Sequence, residues 1–456
     1  MASTYLTRTP GTGQTSRTKG TLSVWLKRAK TDEEDFIFNG FESSSNQIKI
    51  TFKSDAKLQI NTIQSGSNHL VYETNRLFRD TSAWYHIVIA IDTTLATAGD
   101  RCRLYVNGVE ETSFSTETHF SQNDLSFLTE DNRIIYIGSQ QGTANYFDGS
   151  MSHYHLIDGT QYQASDFGEF DANGVWKIKT SPSVNYGTHG FFILKDGNSV
   201  TDQSGNSNNF TVGGGTLTNT EDNPSNVFAT MNPLNQTRFD NDGVYSNGNT
   251  KLTMTADNAD RGYGFTTFGV TQGKWYWEVK VPTTERAIVG VGDAQFVSAQ
   301  TVPFFDINPS YSIGLNCTNG ALNYNGTSNS SYYGTAVSAN DIIQFALDMD
   351  NYLFWYGING TWLNSATQTE IENGTATNDV TTAIGTQNVI NNGEPIFPFV
   401  CDVSGTGKSN FECNFGNGYF GTTAVASAGT NASGIGIFEY DVPTGYTALS
   451  TKGLNE

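Results

Sequence analysis

Carboxylates two residues apart can share one face of a β-strand. A pair flanking a glycosidic bond hydrolyses it, at about 5–5.5 Å separation with retention and about 6.5–9.5 Å with inversion. Glu169 and Asp171 have that spacing, as do Glu33 and Asp35 within Asp32-Glu33-Glu34-Asp35. Neither set lies in a strand with apolar neighbours on the other face, so both read as loop acids. His153 and His155 are also two apart and could ligate zinc given a third ligand. Tyr154 and Leu156 alternate with them and read as core-facing, which turns the histidines outward, and no third residue stands at ligand spacing. Asp348-Met349-Asp350-Asn351 reads as a strand end and tight turn, because Asp and Asn side chains bond their own backbone there. Gly213-Gly214-Gly215 lacks the lysine and following helix of a phosphate loop. Cys317, Cys401 and Cys413 have no metal-ligand spacing, and Cys102 alternates with Leu104 and Val106 as a small core residue. The residues therefore predict no catalytic group, no metal and no cofactor. Aromatic rings in polar loops are the remaining binding signal: Tyr332 and Tyr333 in Asn329-Ser330-Ser331-Tyr332-Tyr333-Gly334, and Trp362 after the Asn359-Gly360 turn. Such rings suit stacking on sugar faces or anchoring a protein interface.

The elements that would position these residues are almost entirely strands. Short alternating runs recur every ~8–14 residues, punctuated by Gly, Asn, Asp and Ser. Leu22–Leu26, Gln47–Phe52 and Lys57–Ile60 are examples. Trp84–Ile91 is apolar enough for a central strand, and Arg103–Gly108 and Leu353–Gly360 both end in Asn-Gly, the strongest short hairpin signal. Trp275–Val281, Ala287–Gly292 and Ile342–Leu347 continue the pattern. The fold class is thus all-β: two antiparallel β-sandwich, jelly-roll-like domains, at residues 1–180 and 237–420. An irregular Gly/Asn-rich connector at 181–236 joins them, with one or two short strands such as Phe191–Leu194. A C-terminal segment, 421–456, is expected to pack back.

Composition bounds the partners. The 456 residues carry 25 Lys+Arg against 45 Asp+Glu, a net charge of −20, which argues against nucleic acid. No apolar run approaches the ~20 residues of a membrane span, so no membrane insertion is expected. Met1–Tyr5 opens no run resembling a signal peptide. Four cysteines require no disulfide framework and suit assembly in a reducing cytoplasm.

An ordered set of pieces in the first ~170 residues resembles a laminin-G-like domain of the concanavalin-A-like lectin/glucanase superfamily. The pieces are Gly20–Arg28, Trp84–Val88, Leu104–Gly108, Ile135–Ser139 and Phe147–Gly159. In that superfamily's glucanases the catalytic acids stand as Glu-x-Asp-x-x-Glu. Here Gly174 takes the third place after Glu169 and Asp171, and Phe38 takes it after Glu33 and Asp35. The region from about Asp242 to Gly416 resembles a SPRY domain, carried by Asn340–Asn351, Leu353–Tyr356, Trp275–Val279 and Ile288–Val291. SPRY domains are non-enzymatic recognition sandwiches whose loops set the partner.

The pairing, with Asp166–Trp176, Phe228–Asn235 and Pro443–Leu449, resembles a type of bacteriophage tail or virion appendage protein. That resemblance implies a non-enzymatic virion protein, a tail fibre or similar appendage for host recognition and adsorption, assembled in the host cytoplasm. Its implied partners are other virion proteins and a host surface glycan or protein. A head decoration or tail scaffold touching only virion proteins is the alternative, and the missing third carboxylate disfavours a polysaccharide depolymerase. A homo-oligomer is expected, trimer favoured, held in part by the segment after Gly421, whose Ile437, Phe438, Tyr440 and Val442 should dock on this chain or a neighbour.

Overall fold

The computed structural model describes residues 3–195, 200–235, 243–254, 262–284, 287–298, 311–324, 327–330, 332–385, 389–402 and 408–455. The chain divides into two compact units, Met1–Asn219 with Asn223–Ser225, and Thr220–Asp222 with Asn226–Glu456. Each is an antiparallel β-sandwich.

The first unit packs an eight-stranded sheet on a six-stranded one. From edge to edge the larger sheet runs Phe114–Thr118, Ser67–Leu77, Lys57–Gln64, Asn46–Phe52, Asp35–Ser43, Ile134–Ile137, Tyr5–Arg8 and Thr211–Gly214. The smaller runs Phe191–Ile193, Gly149–Asp158, Lys19–Arg28, Tyr85–Asp92, Cys102–Val106 and Val109–Glu111. Strand alternation explains the core. In the larger sheet Leu6, Ile137, Phe38, Ile50, Ile60 and Tyr72 are successive cross-strand partners, and all are buried. They meet Leu22, Val24, Leu26, Ile87, Ile89, Ile91, Tyr154 and Leu156 of the smaller sheet in one cluster.

Tyr85–Asp92 is interior to its sheet, as its apolar run predicts, and it is covered on both faces. Val88 and Ala90 point away from the core and are covered by Ala164 and Phe167 of the short helix Ala164–Phe167. Asn107-Gly108 makes the predicted hairpin turn, with φ of 48° and 81°, the left-handed values that Asn and Gly tolerate best.

The stretch read from sequence as a connector holds two short strands, one of them within the expected Phe191–Leu194, and both join sheets of this unit. Phe191–Ile193 adds to the edge of the smaller sheet beside Gly149–Asp158, and Thr211–Gly214 pairs with Tyr5–Arg8. The link between them is organised by Asp202, whose carboxylate accepts from the backbone N–H of Phe192, Ser204 and Asn208 and from the Ser204 hydroxyl. Phe191, Ile193, Leu194 and Phe210 join the core. Burial of these side chains outweighs the loop propensity of the surrounding Gly, Ser and Asn.

The second unit repeats the architecture. Its larger sheet runs Gly243–Ser246, Lys251–Met254, Asn410–Asn414, Lys274–Thr283, Ile342–Asp348, Leu353–Ile358 and Thr361–Trp362, with Thr447–Ala448 paired parallel to Trp275 and Tyr276. The smaller runs Gly262–Phe265, Ile396–Asp402, Ala287–Asp293, Ser312–Asn316, Ala321–Tyr324 and Thr327–Asn329. Trp275, Trp277, Val279 and Val281 face the core, where Trp277 stacks on Phe345 with centroids 4.8 Å apart. The alternate residues Tyr276 and Glu278 are equally buried, under the C-terminal segment. Phe228, Ile435, Phe438, Val442, Tyr446 and Ala448 form a cluster there with Tyr276 and Trp355.

Docking of the last segment is therefore within the chain. The Glu278 carboxylate accepts from the backbone N–H of Glu439 and Tyr440, each at 2.9 Å, and from Tyr276 Oη and Asn414 Nδ2. Burial pushes this carboxyl up to about 7 despite those four donors. The same layer ties Ala229 N to the Leu449 carbonyl at 2.8 Å and Thr451 N to the Val227 carbonyl at 2.9 Å. Residues 226–231 and 421–456, read from sequence as connector and separate segment, thus belong to one sandwich with 237–420.

Candidate binding surfaces

The carboxylates with hydrolytic spacing are committed elsewhere. Glu169 lies in Gly168–Phe170, one arm of a small hairpin with Trp176–Ile178; its exposed carboxylate is 3.8 Å from Lys179 Nζ. Asp171 accepts from the N–H of Asn173 and Val175 and so builds the turn of that hairpin. In the other set Glu33 pairs with Lys30 at 3.3 Å and Glu34 with Lys53 at 2.5 Å. Asp35 is fully buried, 3.0 Å from Arg28, and burial raises its carboxyl to about 7. Arg28 also donates to the Phe78 carbonyl and lies 4.4 Å over the Phe52 ring. Asp348 makes the predicted turn, accepting from the N–H of Asp350 and Asn351 beside Lys274.

His153 and His155 do face away from the core that holds Tyr154 and Leu156, but they do not meet solvent. His155 Nδ1 is 2.9 Å from the Tyr186 hydroxyl, and its ring stacks on Phe192 at 3.9 Å. Phe167 packs on it from the short helix. Part of the cover, Tyr186 and Phe192, comes from the segment expected to be a connector. A third histidine joins this layer. His86 is stacked between Trp25 and Trp176, at 4.7 and 5.9 Å. The Trp176 indole N–H donates to His86 Nδ1 at 3.0 Å, which places the imidazole proton on Nε2, 2.9 Å from Ser23 Oγ. Burial pushes His86 down to about 3 and His155 well below its ordinary value, so both are neutral. Among the described residues no group of three His, Cys, Asp or Glu is gathered to hold a metal ion. The four cysteines are buried and form no disulfide.

The three aromatic residues chosen from polar loops do not form one site. Tyr332 is 6% exposed and packs edge-on to Tyr356 with centroids 6.3 Å apart, so its ring is core and not a platform. The loop around it is polar because its other side chains face water, and the ring turns inward to fill the sandwich. Tyr333 is half-buried against the same core. Trp362 is half-buried on the edge strand, its indole N–H donating to Gln368 Oε1 at 3.0 Å and its ring leaning on the C-terminal cluster.

A surface that the sequence reading did not select lies on the outer face of the first unit's larger sheet. One residue out of step with the core row, Thr7, Tyr136, Asn39, Lys49 and Asn61 are successive cross-strand partners. Tyr136 stands beside Tyr5, which in turn neighbours Tyr146. Of these strands only Gln47–Phe52 and Lys57–Ile60 are read from sequence as alternating runs; Tyr5–Arg8 and Asp35–Ser43 are not read as strands.

Residues 2–164 match the Laminin_G_3 family model of the concanavalin A-like lectin/glucanases superfamily. No curated protein matches the sequence. Among solved structures, the SPRY domain of human HERC1 is similar at 18% identity and a TM-score of 0.30, over 40% of this chain and 96% of its own. The PSpry domain of TRIM65 is similar at 14% identity and 0.27, over 41% of this chain and 88% of its own. The native heptameric SAP-like pentraxin of Limulus polyphemus is similar at 15% identity and 0.25, over 35% and 78%. Residues 2–164 are thus similar to a concanavalin A-like, laminin-G-type domain, and the second unit is a further antiparallel β-sandwich.

Proposed function

We propose that this is a non-enzymatic recognition protein of a bacteriophage virion, a tail fibre or similar appendage used in host adsorption. The observation that carries the reading is the disposition of polar groups in the lectin-like first unit. The carboxylates spaced for hydrolysis are spent on ion pairs and turns. The order of the two sandwiches, with the motifs Asp166–Trp176 and Pro443–Leu449, supports placement on a virion. Its partners are then other virion proteins and a host surface glycan or protein, and assembly takes place in the host cytoplasm. Multivalent display raises effective concentration at a surface, which favours a homo-oligomer, trimer first. Since the C-terminal cluster is satisfied within the chain, self-association would use sandwich faces or strand edges.

Antibody against the purified chain, applied to phage particles and imaged at low resolution, tests the reading. Label on a tail appendage together with blocked adsorption is the expected result. Label on the head alone would replace recognition by decoration, and particles without label would overturn the virion role.

A further inference from the structure

We propose that the hairpin spanning residues 168–178 is a flap over the first unit's smaller sheet, held shut by His86 while its ring is neutral and released when the ring is protonated. The flap belongs to the sandwich itself, whatever the protein recognises. Its two arms, Gly168–Phe170 and Trp176–Ile178, pair only with each other. Of residues 168–178 only Gly168 is buried; Glu169, Phe170, Val175 and Lys177 are exposed, Phe170 at 51%. The hairpin reaches the sheet through the indole of Trp176. That ring lies so close on Gly108 and Gly168 that a Cβ at either would meet it at 2.3 and 2.4 Å. The root is tied separately. Lys179 donates from its backbone N–H to the Phe167 carbonyl at 2.9 Å and from Nζ to the Ser165 carbonyl at 2.8 Å, and Phe167 and Tyr186 cover His155 there.

His86 can serve as the latch in one protonation state only. The Trp176 indole N–H donates to its Nδ1 at 3.0 Å, and the ring is stacked between Trp25 and Trp176. An indole nitrogen is a donor and never an acceptor, so a second imidazole proton, on Nδ1, sets two donors face to face. The bond is lost and a charge is left beneath aromatic cover, which lifting the hairpin would hydrate. The groups facing the ring are few. Lys19–Arg28 presents Ser23 and Trp25, with Lys27 two residues on. Asn107 in the turn accepts from the His86 backbone N–H at 2.7 Å. Gly149–Asp158 presents His153, which opposes a charge on His86, and no carboxylate among the described residues favours one. The hairpin's own charges are turned to one another, Asp171 3.9 Å from Lys177 and Glu169 3.8 Å from Lys179.

Covered, the His86 ring is held down to about 3; uncovered, it returns to about 6.5. Opening is therefore linked to proton uptake, and the open fraction should rise on the order of 100-fold between pH 7.5 and pH 4.5. Acid thus brings an aromatic pair to the surface, Trp25 on the sheet and Trp176 on the flap, while the core on the sheet's other face stays packed.

The test follows hydrogen exchange of the Trp176 indole N–H by NMR in the full-length chain, its resonance assigned by its loss in Trp176→Phe and its rates corrected for the intrinsic effect of pH. Opening should be on the order of 100-fold more frequent at pH 4.5 than at pH 7.5, while the backbone amides of Val88 and Ile89 in the strand beneath keep their protection. His86→Asn, which keeps an acceptor near the place of Nδ1 and cannot titrate, should abolish the dependence. A second measurement does not need that variant to fold. Binding of the proton and closure of the flap oppose each other, so Trp176→Phe, which loosens the flap, should raise the midpoint of the His86 ring titration by one pH unit or more. Indole exchange without the pH dependence, a dependence that survives His86→Asn, strand amides that exchange in step with the indole, or a His86 midpoint unmoved by Trp176→Phe would each overturn the flap.

Discussion

Replacing Phe438 by alanine tests whether the C-terminal segment is part of the second sandwich. Phe438 is 1% exposed and meets Tyr276 edge-to-face at 4.9 Å, within the cluster that includes Phe228, Trp355 and Tyr446. Its neighbour Ile437 is 38% exposed. Truncating a buried phenylalanine costs about 3–5 kcal/mol, the transfer of the ring plus the cavity it leaves. The same truncation at the exposed isoleucine should cost roughly 1 kcal/mol or less. A domain has only about 5–15 kcal/mol of stability in all, so the first loss is a large share and the second is not. At a urea m-value of about 2 kcal/mol/M, Phe438→Ala should lower the second unit's midpoint by about 2 M and Ile437→Ala by about 0.5 M or less. Urea unfolding followed by tryptophan fluorescence reports both units, through Trp25 and Trp176 in the first and Trp277 and Trp355 in the second, and only the second unit's transition should move. Equal shifts for the two variants, or none for Phe438→Ala, would refute the docking argument. A cleavage site opening between residues 421 and 434 with no midpoint shift would show the segment to be a loose cover instead of a structural layer.

Glu278→Gln should flatten a pH dependence of that same unit. A carboxyl raised from 4.5 to about 7 contributes stability that is fully present below about 4.5 and lost as the pH rises through about 7, up to about 3 kcal/mol, measured by unfolding between pH 4.5 and 8. His86 has the opposite sign in the first unit. Held down to about 3, it contributes stability present above about 6.5 and lost on acidification, about 2 kcal/mol by pH 5, and His86→Phe should reduce that slope in acid-unfolding curves. Arg28→Met leaves Asp35 buried without its cation and should cost the first unit about 3–5 kcal/mol in calorimetry, whereas Asp35→Asn combined with it should recover part of the loss. Glu169→Gln should change stability by no more than about 0.5 kcal/mol and leave any effect of the protein on host polysaccharide unaltered, as scored by halo size around plaques.

The strands legible in the sequence were those whose pattern and punctuation agree. Tyr85–Asp92 is apolar on both faces and is interior; Asn107-Gly108 and Asn359-Gly360 turn the chain where only a left-handed pair would fit. The stretch 181–236 misleads because its strands are three or four residues long, too short for alternation to register. Its order comes from Asp202 gathering four donors, an arrangement invisible until the fold brings them together. Tyr332 misleads for a related reason. Polarity along the chain reports the average exposure of a loop, whereas one ring can turn into the sandwich.

The joining of residues 227–229 to 449–451 has a consequence for synthesis. The first unit can close its larger sheet once Thr211–Gly214 reaches Tyr5–Arg8, less than halfway along the chain. The second cannot: the face that carries Tyr276 and Trp355 waits for Phe438, Tyr446 and Ala448. At about 5–20 residues per second, the gap between Tyr276 and Thr447 corresponds to on the order of 10–30 s on the ribosome. Through that interval a nascent sandwich shows solvent an aromatic face and the Glu278 carboxylate. That charge is a natural guard: hydrated while the face is open, it opposes premature apolar association, and it is buried only when the last backbone N–H groups arrive to take it up. Fast elongation or a chaperone that holds apolar strands should raise the soluble yield of the full chain more than that of residues 1–219.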